Sequence, residues 1–177
     1  MSEQWLDRSV GELGPALARG EISPVTLTEQ LLARAHASRL NAFTTLLADQ
    51  AQAEAAVAAR ELAEGRYRGP LHGVPMSIKD LFEVAGAPTT AASAATSRAP
   101  SPRDAPVVNR LRAAGAIVLG TCNLHEFAFG TTGEDSAFGP ALHPLDAGRS
   151  PGGSSSGSAV SVAGGLAYAS LGTDTGG

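Results

Sequence analysis

The final third of the chain contains two glycine-rich runs that are separated by an apolar, alanine-rich segment. The first run is Pro151-Gly-Gly-Ser-Ser-Ser-Gly-Ser-Ala159, and the second is Gly172-Thr-Asp-Thr-Gly-Gly177. Glycine permits backbone conformations that are closed to other residues, so both runs favour tight irregular loops. Between them, the pattern predicts a helix from Ser155 to Ala163 and a strand from Leu166 to Leu171. Several hydroxyls and backbone N–H groups are therefore expected together at the start of a helix.

The central part of the chain predicts two parallel strands that are joined by a helix. Residues Gly73 to Lys79 have the apolar character of a buried strand, and Ala116 to Leu119 form a second apolar run. Between them, residues 84–103 predict a loop, and Asp104 is placed to cap a helix through Arg112. This order predicts an α/β fold, with a mixed, mainly parallel sheet flanked by helices.

The first 70 residues predict a layer of helices that precedes an α/β core in residues 71–177. Ser9-Val-Gly-Glu12 is a capping-box pattern for the first helix, and an alanine-rich helix is predicted from Asp49 to Glu64. The Phe- and Thr-rich residues Ala42 to Leu47 predict a short strand. We expect one domain, because 177 residues with 43% hydrophobic content suffice for a single core.

Lys79 is the single lysine among 13 basic residues, in a chain that otherwise uses arginine for positive charge. A buried lysine can lose its proton near neutral pH and act as a base, whereas an arginine stays protonated. The apolar run Val74 to Ile78 places Lys79 at the end of a strand, where burial is expected. The alternative is an ordinary lysine that is solvated or paired with the neighbouring Asp80.

The serines of the first glycine-rich run admit three interpretations. They can relay protons to a base, they can cap the helix that follows, or the helix start can bind phosphate. Phosphate binding is the weakest of these, because the run lacks the lysine and glycine spacing of a phosphate-binding loop. The second run can present consecutive N–H groups to one point, and Asp174 can fix that turn by accepting hydrogen bonds.

Together, these motifs resemble the amidase signature family. The resemblance rests on Gly73-Val-Pro-Met-Ser-Ile-Lys-Asp80, on residues 151–159 and on residues 172–177, which occur in the family's order. Residues 120–130, Gly-Thr-Cys-Asn-Leu-His-Glu-Phe-Ala-Phe-Gly, also match an intervening segment of the family. The resemblance covers essentially the whole chain and implies the amino-terminal part of a single amidase domain.

The resemblance implies amide hydrolysis by a serine–serine–lysine mechanism, without a metal or an organic cofactor. Lys79 matches the catalytic lysine, and Ser154 matches the serine that passes protons between that lysine and the nucleophile. The backbone of Thr175, Gly176 and Gly177 matches the oxyanion hole. Three further residues match positions that brace the site, for which a purely structural role is an equal alternative: Ser155, Thr173 and Asp174.

The resemblance also places the nucleophilic serine directly after Gly177, the last residue of the sequence. We therefore expect residues 1–177 alone to be inactive and a longer parent protein to be an active amidase. A partial sequence, a sequence cut at that position and a natural truncation are the three explanations left open. Ser156 stands where the family often has glycine, which is a conservative change in size.

The substrate implied by the resemblance is a small-molecule amide, cleaved to an acid and ammonia or an amine. One alternative is the A subunit of a tRNA-dependent glutamine or asparagine amidotransferase, which needs partner subunits. Another is an inactive fragment that serves as an interaction module. A homodimer is also compatible with the sequence. The net charge of −4, without a Lys/Arg cluster, argues against direct nucleic-acid binding.

Two features predict a cytoplasmic location without membrane association. No apolar stretch approaches the roughly 20 residues that span a bilayer, and residues 1–8 lack the pattern of a secretory signal. A single cysteine, Cys122, suits a reducing compartment, and we expect it to be a small buried hydrophobic residue.

Several other residues are interpreted as structural. The four histidines are scattered without metal-ligand spacing, although His125 can either contact substrate or brace a loop. Phe127 and Phe129 are assigned to core packing, with an acyl pocket as the alternative. The charged residues from Glu54 to Arg68 are expected on the solvated face of a helix. A short helix is predicted from Leu124 to Phe129, before a loop.

Overall fold

A computed structural model describes residues 3–175 of the chain. The regular elements in this range, in chain order, are α1 Val10–Ala18, α2 Pro24–Ala37, β1 Phe43–Leu46, α3 Ala48–Ala63, β2 Pro75–Lys79, α4 Pro106–Ala113, β3 Ile117–Cys122, α5 Ser156–Ala163 and β4 Ala169–Leu171. Single turns of 3₁₀ helix lie at Glu3–Trp5 and Glu126–Ala128. In this part of the chain, no helix is both long and apolar enough to cross a membrane.

The four strands form one sheet in the order β1-β3-β2-β4. Strand β2 runs parallel to both β3 and β4, whereas β1 pairs antiparallel with β3. The predicted α/β class, with a mixed and mainly parallel sheet flanked by helices, is confirmed. The unit β2–α4–β3 is the predicted pair of parallel strands joined by a helix.

Helices cover both faces of the sheet. On one face, Met76 and Ile78 of β2 pack with Val108 of α4. On the other face, Leu31 of α2 belongs to a cluster that includes Leu119 of β3. Both clusters consist of side chains that are almost entirely removed from water, which is the main driving force for this layered arrangement.

Strand β2 carries polar residues on the face of the sheet that points away from α4. Side chains alternate along a strand, so Ser77 and Lys79 point away from Met76 and its neighbours. Ser77 Oγ lies 2.8 Å from Ser161 Oγ of α5 and 2.8 Å from Ser170 Oγ of β4. These contacts hold α5 against this face, with its amino terminus near the carboxyl end of β2.

The amino-terminal 70 residues contain the predicted helices, and they also contribute to the sheet. The capping box of Ser9 and Glu12 is present at the start of α1, as predicted. Strand β1 pairs with β3, with Phe43 opposite Cys122. The sheet therefore draws strands from both sides of residue 70, and the division at that residue stays a prediction.

The predicted cap of α4 is wrong. The helix begins at Pro106, and Ala105 is the N-cap residue, without a side-chain cap bond. The carboxylate of Asp104 instead accepts a hydrogen bond of 2.7 Å from the backbone N–H of Ala85 and lies 2.9 Å from Nε of Arg112. The carboxylate of Asp104 therefore interacts with Ala85 and Arg112 and does not cap the helix.

The predicted helix from Leu124 to Phe129 is reduced to one 3₁₀ turn, Glu126–Ala128. Phe127 and Ala128 both have positive φ, at 53° and 57°, which a continuous α-helix of L residues does not accommodate. Strand β3 extends past the predicted Leu119 because both neighbouring strands pair with it up to Cys122.

The prediction that the charged residues of α3 face solvent is also wrong at two positions. Glu61 is buried, contacts Arg68, and lies 3.1 Å from Nε2 of the fully buried His72. Glu54 pairs with Arg112 of α4. These carboxylates face α4 and the segment before β2 rather than water, a difference that the spacing of charges along one helix does not reveal.

Candidate active site

The carboxyl end of β2 places the amine of Lys79 among three hydroxyl groups. Lys79 Nζ lies 2.7 Å from Ser154 Oγ, 3.0 Å from Ser155 Oγ and 2.7 Å from Thr173 Oγ1. The lysine side chain is fully buried. Four residues singled out from the sequence are thus brought together from three separate segments of the chain.

The hydroxyl of Ser155 also bonds the backbone of the segment that follows β4. Its Oγ accepts from the N–H of Thr173 at 3.2 Å and donates to the carbonyl of Thr173 at 3.1 Å. Its single hydrogen is therefore used, so it acts as an acceptor toward Lys79. A neutral amine donates two hydrogen bonds and accepts one. Of the three hydroxyls near Lys79, those of Ser154 and Thr173 therefore remain free to donate a hydrogen bond to the nitrogen of a neutral amine.

Burial lowers the pKa of Lys79 below its ordinary value, because the ammonium form loses its hydration. The negative charge of Asp174 opposes this shift and raises the pKa. Burial is the larger of the two effects. Relative to water, the environment therefore shifts the equilibrium toward the neutral amine, the form in which a lysine can accept a proton.

Asp80 takes no part in an ion pair with Lys79 and is fully buried on the other side of the strand end. Its carboxylate accepts hydrogen bonds of 2.7 Å from the backbone N–H of Thr90 and 2.7 Å from the hydroxyl of Thr44, and it contacts the Thr90 hydroxyl. Burial raises the pKa of Asp80, and the hydrogen bonds from Thr90 and Thr44 partly offset that increase. The alternative interpretation, in which Lys79 is an ordinary lysine that is either solvated or paired with Asp80, is wrong.

Ser154 is held by backbone contacts on both sides. The peptide bond between Gly153 and Ser154 is cis. The carbonyl of Ser154 accepts a hydrogen bond of 3.0 Å from the N–H of His125. A Cβ atom on Gly153 would lie 2.8 Å from the backbone nitrogen of Gly133, so glycine is required for this close approach.

Helix capping does not explain the serine run. Ser155 is the N-cap residue of α5, but its side chain makes no cap bond. The hydroxyl points to Lys79 and Thr173 instead, so the capping interpretation is wrong for this residue. Ser156, which stands where the amidase signature family often has glycine, is buried at the first position of α5.

An open cleft of about 700 Å³ lies over these residues. It is lined by residues 128–131, 151–155 and 173–175 and by Ala159 of α5. Phe129 is 92% exposed and Phe127 is 55% exposed, so their assignment to core packing is wrong. Phe129 lines the cleft, as the alternative interpretation requires.

The predicted oxyanion-hole segment begins at the wall of this cleft. Thr175 and Asp174 both line it and are exposed. Gly176 and Gly177, which complete the predicted set, lie outside the described residues.

Two other sequence interpretations concern neighbours of the site. Cys122 is fully buried beside Lys79 on β3, as predicted, and burial raises the pKa of its thiol. His125 lies 3.5 Å from the carboxylate of Asp135 and braces the loop through its backbone. Within residues 3–175, no group of three or more His, Cys, Asp or Glu residues is arranged to hold a metal ion.

Two groups of polar residues next to the site are not predicted from the sequence. One is the hydroxyl cluster of Ser77, Ser161 and Ser170 under Lys79. Period-two alternation along β2 indicates that Ser77 shares the face of Lys79, but spacing does not identify its partners. The other is Asn123, whose side-chain amide donates to the carbonyls of Asn41 and Gly139. Both partners are far from Asn123 in the sequence, so local spacing does not indicate these contacts.

The sequence model of the Amidase family matches residues 26–177. The chain is 49% identical over 168 residues to the A subunit of glutamyl-tRNA(Gln) amidotransferase from Anaeromyxobacter dehalogenans (strain 2CP-C). It is 47% identical over 176 residues to the protein of the same name from Geobacter sulfurreducens (strain ATCC 51573 / DSM 12127 / PCA). These alignments cover 94% and 98% of this chain but 34% and 36% of the relatives. The chain thus spans about a third of the length of these curated relatives.

Two solved structures have sequence identities to this chain that are close to those of the curated relatives. An amidase of known crystal structure is 45% identical, with a TM-score of 0.88 over 96% of this chain and 39% of its own. A peptide amidase in complex with the competitive inhibitor chymostatin is 41% identical, with a TM-score of 0.89 over 97% of this chain and 37% of its own. At these sequence identities, the likeness supports membership of the same family as well as a shared fold.

Proposed function

Because this chain belongs to the amidase family, we propose that it carries the base and the proton relay of an amide-cleaving active site. The observation that carries the proposal is the 2.7 Å contact between the buried amine of Lys79 and the hydroxyl of Ser154, a residue that lines an open cleft. A lysine that is neutral at working pH and bonded to a hydroxyl is suited to general-base catalysis.

In the proposed reaction, neutral Lys79 accepts the proton of Ser154 while Ser154 takes the proton of the attacking hydroxyl. That hydroxyl belongs to the serine that the family resemblance places directly after Gly177. Its oxygen forms a bond to the amide carbon, and the tetrahedral intermediate then loses the amine. The proton returns through Ser154 to the leaving nitrogen. Water hydrolyses the acyl-enzyme along the same route, which restores the serine and releases the acid.

The remaining predicted residues receive supporting roles in this proposal. Ser155 and Thr173 hold the amine of Lys79 in place through their hydroxyls. The charge of Asp174 limits how far the pKa of that amine falls. The backbone N–H groups of Thr175, Gly176 and Gly177 stabilise the oxyanion.

We propose, more specifically, that the amide cleaved is the nitrogen donor of a tRNA-dependent amidotransferase and that this chain belongs to the A subunit of such an enzyme. Sequence identity of 45–49% to curated relatives of that name supports this proposal. Partner subunits would then receive the ammonia and supply the acceptor. The predicted homodimer and the cytoplasmic location stay predictions.

A stand-alone amidase acting on a small-molecule amide is the second candidate. The 45% identity to an amidase and the 41% identity to a peptide amidase, both of known structure, favour it. The two candidates share the chemistry of Lys79 and Ser154 and differ in the fate of the ammonia.

The proposal is tested by Lys79→Arg in a full-length protein that contains these residues. An arginine keeps its proton, so kcat for ammonia release from simple amides should fall by about 10²–10⁴-fold. Arg110→Lys, on the exposed side of α4, is the matched control and should leave kcat unchanged. Turnover by Lys79→Arg at the wild-type rate would remove Lys79 from the mechanism.

Partner dependence separates the two candidates. If the full-length protein is part of an amidotransferase, glutamine hydrolysis should rise when partner subunits and charged tRNA are added, and ammonia should appear in the tRNA-bound amide. A stand-alone amidase should turn over at full rate alone. The assay is ammonia release with and without the partners.

A further inference from the structure

We propose that Asn123 is a positioning residue of the amide-cleaving site. Its buried amide fixes the short backbone segment that holds Ser154 in contact with Lys79. This inference rests on the proposed function and deepens it, because it concerns how the relay serine is kept in register with its base.

The backbone after β3 runs alongside the start of α5. The N–H of His125 donates to the carbonyl of Ser154 at 3.0 Å, and the N–H of Gly157 donates to the carbonyl of Asn123 at 2.9 Å. These two hydrogen bonds enclose the turn that carries Ser154 and Ser155. A shift of residues 123–125 would therefore move the hydroxyl of Ser154 relative to Lys79.

The contact between these two segments leaves no free space. A Cβ atom on Gly157 would lie 2.5 Å from the carbonyl oxygen of Asn123 and 2.4 Å from that of Ala42. The N–H of Asn123 also donates to the carbonyl of Ala42 at 2.8 Å. Because backbone packs directly on backbone here, the position of residue 123 is transmitted to α5 without an intervening flexible side chain.

The side chain of Asn123 is fully buried and uses all of its hydrogen-bonding capacity. Its Nδ2 donates to the carbonyls of Gly139 at 2.9 Å and Asn41 at 3.2 Å. Its Oδ1 accepts from the N–H of Leu124 at 2.9 Å and from the hydroxyl of Ser136 at 2.7 Å. One amide thus ties two distant segments, around Asn41 and from Ser136 to Gly139, to the turn that follows β3.

None of these described bonds involves the side chain of Ser154 or Lys79. Asn123 acts on the reaction through the backbone that supports Ser154, so its effect should disappear when Ser154 has no hydroxyl to position. This dependence distinguishes a positioning role from a general contribution to stability.

The test is a double-mutant cycle in a full-length protein that contains these residues. Asn123→Ala should lower kcat for amide hydrolysis by about 10²-fold, with KM changed less than about threefold, because a small misplacement of the relay is costly. In a Ser154→Ala background, the same substitution should lower the residual kcat by less than about threefold. Val108→Ala, in the core cluster beside α4, is the control for lost packing and should leave kcat unchanged.

Ser136→Ala provides a milder variant should Asn123→Ala fail to fold. It removes one hydrogen bond to Oδ1 and should lower kcat by about 2- to 10-fold in the wild-type background, with a smaller effect when Ser154 is alanine. Equal losses in both backgrounds, for either variant, would overturn the positioning role. An unchanged kcat in Ser154→Ala alone would overturn the proposed function, and the positioning role with it.

Discussion

Two basic side chains with little exposure to water, Lys79 and Arg112, have opposite kinds of partner. Lys79 lies at the carboxyl end of β2, and its three described hydrogen bonds all go to hydroxyl oxygens. Arg112 lies on α4, where it contacts the carboxylates of Glu54 and Asp104. Burial lowers the pKa of both side chains. Arginine remains charged because its ordinary pKa is so high, whereas a lysine in the same situation can become neutral.

The difference between hydroxyl and carboxylate partners shows which environment allows a basic side chain to change its protonation state. Carboxylate partners compensate the positive charge of Arg112 and make it a link between α3 and α4. Hydroxyl partners can exchange donor and acceptor roles, so they solvate both forms of the Lys79 amine. A site that must change its protonation state during a reaction needs the second arrangement, and a site that only holds two helices together needs the first.

The largest expected effect is the loss of activity in Lys79→Met. Removal of the proposed base should lower kcat by about 10²–10⁴-fold in the full-length protein. Because a buried ammonium costs stability and a methionine does not, the free energy of unfolding should stay the same or rise. Activity assays and urea denaturation together test this combination. A large loss of stability would show that Lys79 is a structural cation like Arg112.

The opposite combination is expected for Arg112→Met. This change leaves the partly buried carboxylates of Glu54 and Asp104 without their cationic partner and should cost about 3 kcal/mol in the free energy of unfolding. This figure is at the low end of the range because the Arg112 side chain keeps 16% exposure. The kcat of the folded enzyme should not change. The measurement is urea denaturation, with Arg66→Met, in an exposed ion pair, as the control of about 0–1 kcal/mol. A fall in kcat would mean that the two regions are coupled.

The smallest effect is expected for Asp174→Asn. The charge of Asp174 raises the pKa of Lys79, so its removal should lower that pKa further. At a given acidic pH, more of the lysine is then neutral, and the acidic limb of the kcat profile should move to lower pH. High salt should shrink the difference between the variant and the wild type, because Asp174 is exposed and its charge is screened.

The control for that profile is Asp49→Asn, at the exposed start of α3, which should leave the acidic limb in place. A shift toward higher pH in Asp174→Asn would contradict the assigned sign and would mean that its carboxylate acts on the lysine by another route.

Much of the site could be predicted because its residues belong to short contiguous motifs. Lys79, Ser154, Ser155 and Thr173 were each assigned from local sequence and the family resemblance, and the structure brings all four together. The family assignment is confirmed by the match over residues 26–177. Glycines and serines in fixed order can be read without knowledge of their partners, since their backbone geometry is local.

The predictions that failed depend on contacts between segments that are not adjacent in the sequence. Asp104 is predicted to cap α4, but its carboxylate accepts a hydrogen bond from the N–H of Ala85 and lies beside Arg112. Glu61 was expected in water, but the buried His72 lies beside it. The exposure of Phe129 could not be anticipated either, because an aromatic residue in an apolar segment has the same local pattern whether it lines a core or a cleft.

The separation of the site residues along the chain also bears on when the site can become reactive. Ser154 and Thr173 follow Lys79 by 75 and 94 residues, so a growing chain that ends before them lacks two of the hydroxyls that contact this amine. In such a chain we expect Lys79 to be hydrated and protonated at neutral pH, as an ordinary lysine is. The proposed proton relay can therefore form only after residue 173 has been synthesised and has folded against the end of β2.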